Sequence, residues 1–167
     1  MPVNDARDIL ARTPFFAEVL SPAEIAALAV PLAARAFPAG EALLREEDEG
    51  SSMFILVDGE VSVIIGTSGK TREVTRLGPG DIVGEMSLMT GARRSATVAA
   101  LTPVTALEVA KEALEPVLNA SPELVHRFAA VLERRQAELD RLYGDGWSLG
   151  LGQDKFVTLM RTFFAGL

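Results

Sequence analysis

The chain contains no cysteine, which excludes disulfide bonds, thiolate metal sites and cysteine nucleophiles. It has one histidine, His126, so a single chain cannot supply a histidine metal site or a histidine-dependent catalytic triad. It also lacks the basic start and apolar run of a signal peptide. No apolar run reaches the length of about 18 residues that a membrane-spanning helix needs. We therefore expect a cytoplasmic chain without a membrane span or a metal site.

Positive charge is scarce. The chain has 16 Lys and Arg against 23 Asp and Glu, a formal net charge of −7. Domains that bind nucleic acid usually present a basic face to the phosphates, so we expect no nucleic acid partner. The densest acidic cluster, Glu46-Glu47-Asp48-Glu49, lies in a predicted loop without the spacing of a metal site. An acidic protein that binds an anion must create local positive potential, which gives any arginine at a pocket added significance.

The middle of the chain, residues 32–110, has the pattern of short strands separated by glycine turns. Asp58-Gly59 is typical of a tight hairpin. About eight short strands at near-regular spacing predict an antiparallel, jelly-roll-like β-roll. The clearest strands are predicted over residues 42–44, 53–57, 61–65, 73–77, 95–100 and 104–109.

Helices are predicted on both sides of the roll. Residues 1–31 contain a short helix over 4–12 and a second that begins at the capping box of Ser21-Pro22-Ala23-Glu24 and ends near Pro31. We therefore expect an α+β fold, an eight-stranded antiparallel β-roll flanked by N-terminal and C-terminal helices.

The C-terminal helices are predicted within residues 111–143. One covers 111–119, and a longer one begins at Ser121-Pro122-Glu123 with the same capping chemistry as the N-terminal example. Residues 144–167 are expected to form a flexible glycine-rich linker and a short amphipathic tail. That tail is either a helix over 156–164 or a segment that becomes ordered only against a partner.

Two motifs carry the functional prediction. Gly84-Glu85-Met86-Ser87-Leu88 is followed after a short gap by Arg94-Ser95-Ala96-Thr97-Val98. The turn offers free backbone N–H groups, the arginine offers a planar cationic fork, and the glutamate can accept a hydrogen bond from a hydroxyl. The pair of motifs therefore suits a small anion that carries a hydroxyl, such as a sugar phosphate.

Residues 78–98, which include both motifs, resemble the phosphate-binding cassette of cyclic nucleotide-binding domains. The resemblance extends to Phe37-Pro38-Ala39-Gly40-Glu41 and to the hairpin at Val57-Asp58-Gly59-Glu60-Val61, and it covers residues 5–143. One departure is Val83, where the family often has an aromatic residue, and it should change packing near the ligand only slightly.

The resemblance implies a role for each cassette residue. Arg94 would pair with the cyclic phosphate, while strand alternation would turn Arg93 to solvent. Glu85 would accept a hydrogen bond from the ribose 2′-OH, although a carboxylate at a helix N-terminus is also favoured by the helix dipole. Gly84 would allow close approach of the backbone, or serve as an ordinary turn glycine. Backbone amides would complete the anion site at Met86, Ser87, Leu88, Ser95 and Ala96.

Two further residues are expected to lie near the base of a bound cyclic nucleotide. Arg135 lies in the middle of an apolar stripe on the long C-terminal helix, where it either caps the base or packs its stem while its head reaches water. At Ser95, the family associates threonine with cGMP preference. The smaller serine favours cAMP as the ligand, with cGMP possible.

The resemblance implies a regulatory binding module with no catalytic activity, in which the long C-terminal helix closes over the ligand and controls an attached or partner effector. The start and end of the chain resemble the C-terminal cytosolic domain of bacterial cyclic nucleotide-regulated ion channels of the mechanosensitive type, which makes a membrane channel the expected effector. The alternatives are a stand-alone sensor that acts on a separate protein and an interaction domain that has lost its ligand. A jelly-roll enzyme of the cupin type would need more histidines.

Overall fold

The computed structural model describes residues 3–66, 69–144 and 151–166. In chain order the elements are α1 (Val3–Ala11), α2 (Pro14–Ala17), α3 (Pro22–Ala29), β1 (Ala33–Phe37), β2 (Ala42–Leu44), β3 (Ser52–Asp58), β4 (Val61–Ile65), β5 (Arg72–Leu77), β6 (Ile82–Val83), α4 (Glu85–Thr90), β7 (Thr97–Ala100), β8 (Val104–Ala110), α5 (Lys111–Ala120), α6 (Leu124–Tyr143) and α7 (Gln153–Phe163).

The eight strands form two antiparallel sheets, with strand orders β1-β8-β3-β6 and β2-β7-β4-β5. Apolar side chains from both sheets, among them Phe54 of β3 and Val63 of β4, share one buried cluster, so the sheets face each other. This is the β-roll with flanking helices that the sequence predicted, and the predicted fold class is confirmed.

A second core joins the helices to the outer face of one sheet. Side chains alternate along β3, so Phe54 and Leu56 point into the roll while Met53 and Ile55 point to the helices. Both faces of β3 are therefore covered, which explains its uninterrupted apolar run. Phe128 of α6 lies within 6.2 Å, centroid to centroid, of Phe15 and Phe16, the aromatic pair at the N-terminal side.

Local chemistry sets several boundaries as expected. The capping box at Ser21 is present, because the Ser21 hydroxyl accepts from the Glu24 amide at 3.2 Å and the Glu24 carboxylate accepts from the Ser21 amide at 2.8 Å. A turn does lie at Asp58-Gly59, but the hairpin predicted there is wrong: β3 pairs with β6 and β8 and β4 with β5 and β7, so the turn connects the two sheets. The helix that begins at Pro22 ends at Ala29, slightly before the predicted end.

Two boundary predictions were wrong, and two strands were missed. Strand β7 begins at Thr97, not Ser95, because Arg94 is bonded to the acidic loop: its amide donates to Asp48 and its carbonyl accepts from Glu47. Ser121 ends α5 and does not cap α6, which begins at Leu124. The short strands β1 and β6 were not located individually.

The tail forms a helix within the same chain. Helix α7 begins at Gln153, earlier than predicted, and its apolar side joins the helical core. The predicted linker falls largely on residues 145–150, which lie outside the described residues. Across the described part of the chain, no helix combines the length and the apolar character that crossing a bilayer requires.

Phe128 offers a test of the helical core. We expect Phe128→Ala to lower the free energy of unfolding by about 3–5 kcal/mol, because the fully buried ring leaves a cavity against Phe15 and Phe16. Urea denaturation would measure the change. Val30→Ala, at an exposed position, should shift it by no more than about 0.5 kcal/mol. A similar small change for Phe128→Ala would contradict this packing.

Candidate functional site

A cleft of about 600 Å³ lies between the β-roll and α6. Its volume is in the range of small-molecule sites, about 300–1,000 Å³. The residues predicted for the site line this cleft with the exception of Leu88: Gly84, Glu85, Met86, Ser87, Arg94, Ser95, Ala96 and Arg135. The fold therefore brings together residues from α4, from the segment before β7 and from α6, although nothing in the sequence joins α6 to the others directly.

Gly84 shapes the turn that enters α4. Its φ of +85° is in the left-handed region, and a Cβ there would lie 2.8 Å from Nη1 of Arg94 and 3.0 Å from the carbonyl oxygen of Ser52. Glycine is therefore required by the backbone angle and by the space that Arg94 needs. The first amides of α4 have no partner within the helix. Leu88 is an exception to the predicted set, because its amide donates to the Gly84 carbonyl at 3.2 Å.

Arg94 is the buried cation of the site, with 8% of its surface exposed. Its Nη1 donates to the Ser52 carbonyl at 2.6 Å and to the Gly84 carbonyl at 3.4 Å, and its Nη2 donates to the Ser52 hydroxyl at 3.3 Å. Burial lowers the pKa of Arg94, and the negative charges of Glu108, Asp48 and Glu85 oppose that shift. Within the described residues, no carboxylate forms an ion pair with it.

Gly50 lies against the Arg94 side chain and forms one wall of the space that the guanidinium occupies, which we call the Arg94 slot. A Cβ at this position would lie 2.3 Å from Nε and 2.4 Å from Cζ of Arg94. Sequence analysis missed both Gly50 and Ser52, because neither lies in the cassette motif. The available signal was a glycine just before a strand, which often marks close approach of another group to the backbone.

The two adjacent arginines separate as the alternation of side chains predicted. Arg94 is buried, whereas Arg93 is exposed and binds the Glu47 carbonyl at 2.9 Å and the Glu49 carboxylate at 3.3 Å. The same alternation buries Ala96 and leaves Ser95 exposed at the cleft. The pattern persists although these residues precede β7 and are not part of it.

Arg135 reaches across the cleft to Glu85. Its Nε lies 3.0 Å from Oε1 of Glu85, whose side chain is 7% exposed while that of Arg135 is 28% exposed. Burial acts to lower the pKa of Arg135, but the charge of Glu85 and its hydrogen bond, aided by Glu138 and Tyr143, raise that pKa overall. From the sequence, the two residues are predicted to be separate ligand contacts. In the structure they form an ion pair, which explains the cation on an apolar stripe.

The family follows from a direct comparison. Residues 34–121, just over half of the chain, match the family model described as the cyclic nucleotide-binding domain. The chain belongs to this family.

Relatives of the domain occur in different whole proteins. The chain is 38% identical over 130 residues to a cyclic nucleotide-gated potassium channel of Mesorhizobium japonicum. The matched region covers 77% of this chain and 35% of the channel. It is 31% identical over 129 residues to a CRP-like cAMP-activated global transcriptional regulator of Mycobacterium tuberculosis, covering 77% of this chain and 57% of the regulator. The chain thus spans only about a third to a half of these relatives.

Solved structures are similar over most of the domain. The N-terminal domain of a transcriptional regulator from Streptomyces coelicolor superposes with a TM-score of 0.67 at 29% identity, covering 83% of this chain and 99% of that one. A cyclic nucleotide-binding domain from Methylobacillus flagellatus superposes with a TM-score of 0.66 at 27% identity. The match covers 89% of this chain and 86% of that one.

The Arg94 slot can be tested at Gly50. We expect Gly50→Ala to displace the guanidinium and to weaken binding of a cyclic nucleotide by about tenfold or more, since hydrogen bonds to a charged group contribute about 1.5–3 kcal/mol. Isothermal titration calorimetry would measure the affinity. Ser51→Ala, the neighbouring change outside the slot, is the control. If Gly50→Ala binds as the parent does, the slot does not position Arg94 for the ligand.

Proposed function

We propose that this domain binds cyclic AMP in preference to cyclic GMP and converts binding into a change in the position of α6, without catalytic activity of its own. The observation that supports this most directly is Arg94, a buried cation in a ligand-sized cleft whose hydrogen-bond partners in the described residues are neutral. A buried charge needs compensation. A cyclic phosphate supplies one negative charge and oxygen acceptors for the guanidinium fork.

Glu85 is proposed to recognise the ribose. Arg135 holds Oε1, and an ionised carboxylate has a second oxygen, Oε2, that accepts further hydrogen bonds. The ribose 2′-OH would donate to that oxygen. The ion pair then fixes the orientation of the carboxylate, so that less freedom is lost when the ligand binds. Arg135 therefore acts first through Glu85, and a contact with the base is secondary.

The remainder of the cleft suits a planar base. Its lining includes the aliphatic side chains of Leu44, Val63 and Val98 from the roll and Leu139 and Leu142 from α6. Ser95 lies exposed at the cleft, where the family associates threonine with cGMP, and the shorter serine supports the preference for cyclic AMP. The similarity to a regulator named as cAMP-activated points the same way.

The effector is proposed to be an ion channel, on the basis of the similarity to the Mesorhizobium potassium channel. In that case the domain would act in the cytosol at the membrane. A stand-alone sensor would use the same site and the same helix movement on a separate protein. A ligand-free interaction domain would leave Arg94 and Glu85 without a common purpose, which is why we favour a binding domain.

The phosphate contact is tested by Arg94→Ala. We expect the parent chain to release or absorb heat on titration with cyclic AMP and to bind cyclic GMP more weakly. Arg94→Ala should lose about 100-fold in affinity, because it removes the buried charge opposite the phosphate. The matched control is Arg93→Ala, the exposed neighbour, which should change affinity less than threefold, roughly the scale of surface interactions. Absence of binding to either nucleotide at millimolar concentration would overturn the proposed function.

The role of Arg135 is tested separately. We expect Arg135→Ala to weaken cyclic AMP binding by about tenfold, because it leaves Glu85 buried without its partner. Arg134→Ala is the control, since Arg134 is exposed and pairs with Glu18 at 2.7 Å. If both variants bind as the parent does, the ion pair does not contribute to the site.

A further inference from the structure

Helix α7 packs against both sides of the proposed nucleotide site without lining it. Its buried side chains are Phe156, Val157 and Met160, and Phe164, the residue directly after the helix, is also buried. They belong to the same apolar cluster as Leu88 of α4 and Leu132 of α6. Among the described residues of α7, none lines the cleft. The helix therefore contacts the elements that form the site, from outside the site.

Polar contacts fix α7 along α6. The Gln136 amide group donates to the Leu151 carbonyl at 3.4 Å, and that of Gln153 donates to the His126 carbonyl at 3.4 Å. Near the other end, Nη2 of Arg161 lies 3.4 Å from Nε2 of His126. These contacts attach α7 at points along α6, the helix that carries Arg135.

Phe163, the last residue of α7, contacts the end of α4. Gly91 ends α4 with a φ of +75°, and a Cβ on it would lie 2.7 Å from two ring carbons of Phe163. The ammonium group of Lys111 lies 4.3 Å from the centroid of the same ring. The ring is thus held between the end of α4 and the start of α5.

We propose that α7 is a positioning element for the nucleotide site and that Phe163 is a positioning residue. The ion pair of Arg135 and Glu85 joins α6 to α4 across the cleft, and α7 joins the same two helices on the other side. These two connections, on opposite sides, fix the distance between α4 and α6, and that distance keeps Glu85 oriented for the ribose. The inference rests on the proposed function, because it assumes that Glu85 binds the ligand.

Thermodynamic linkage predicts the direction in which nucleotide binding and the docking of α7 affect each other. If the docked state of α7 is the one with the preorganised site, nucleotide binds that state more tightly, and nucleotide must in turn stabilise the docking of α7 by the same factor. Coupling of this kind typically changes affinity by about 5–150-fold. Both directions are measurable.

The first direction is tested by Phe163→Ala. We expect this variant of the 167-residue chain to bind cyclic AMP about tenfold more weakly by calorimetry. Phe163→Leu, which keeps an apolar group against Gly91, should recover most of the loss. The matched control is Ile25→Ala in α3, which removes apolar volume from the same core in a helix that packs against α1 and α5. Parent-like affinity for Phe163→Ala, or an equal loss in the control, would overturn the proposal.

The second direction uses the absence of cysteine, because any introduced thiol is the only one in the chain. Met160→Cys places a thiol on the buried side of α7, and Leu118→Cys places one in α5 as a control for global unfolding. We expect saturating cyclic AMP to slow thiol labelling at position 160 at least about fivefold and more than at position 118. Unchanged or faster labelling at 160, or equal slowing at both positions, would overturn the proposal.

The two proposals fail differently. If the parent chain binds neither cyclic nucleotide, the proposed function fails. If the parent binds cyclic AMP but Phe163→Ala binds equally well, or nucleotide does not protect position 160, only the role of α7 fails.

Discussion

The site depends on the burial of one guanidinium among neutral partners. Burying a cation without a counter-ion is costly unless its hydrogen bonds are made. Arg94 meets that requirement with the Ser52 carbonyl at 2.6 Å and with further bonds to the Ser52 hydroxyl and the Gly84 carbonyl. Glycines at 50 and 84 leave room for it. The acidic loop fixes its backbone and contributes negative charge nearby, so the acidic composition of the chain helps to hold the cation that an anionic ligand needs.

The charges in the cleft form a connected series from the cassette to α6. Glu85 opposes part of the burial effect on Arg94 and pairs directly with Arg135. A ligand phosphate at Arg94 would therefore enter a site in which the neighbouring carboxylate is already compensated. Without Arg135, Glu85 would lose its ion-pair partner and would repel the phosphate more strongly. If Glu85 binds the ligand as proposed, recognition of the anion and the position of α6 are linked through this carboxylate.

Features that depend on neighbours in sequence were predictable, and features that depend on distant segments were not. The capping box at Ser21 and the burial of Arg94 followed from local rules, and so did the turn at Asp58-Gly59, although that turn connects strands of different sheets. The slot at Gly50 and the pairing of Arg135 with Glu85 join residues about 44 and 50 positions apart, which no local pattern shows. The prediction of a helix cap at Ser121 was wrong because Ser121-Pro122-Glu123 follows directly after α5. The Ser121 amide bonds back to Val117 and Leu118, so the residue ends α5.

Helix α6 is held on two sides, and this limits how it can move. Phe128 packs against Phe15 and Phe16, while Gln136 bonds to the segment that leads into α7. A helix that swings alone would have to expose the apolar side chains that α7 buries, including Phe156 and Met160. Exposure of each such side chain costs about 1.5–3 kcal/mol. If the proposed function is right, a ligand-driven change would therefore move α6 and α7 together as a pair. The apolar tail, predicted either as a helix or as a segment that orders only against a partner, is a helix that packs within this domain.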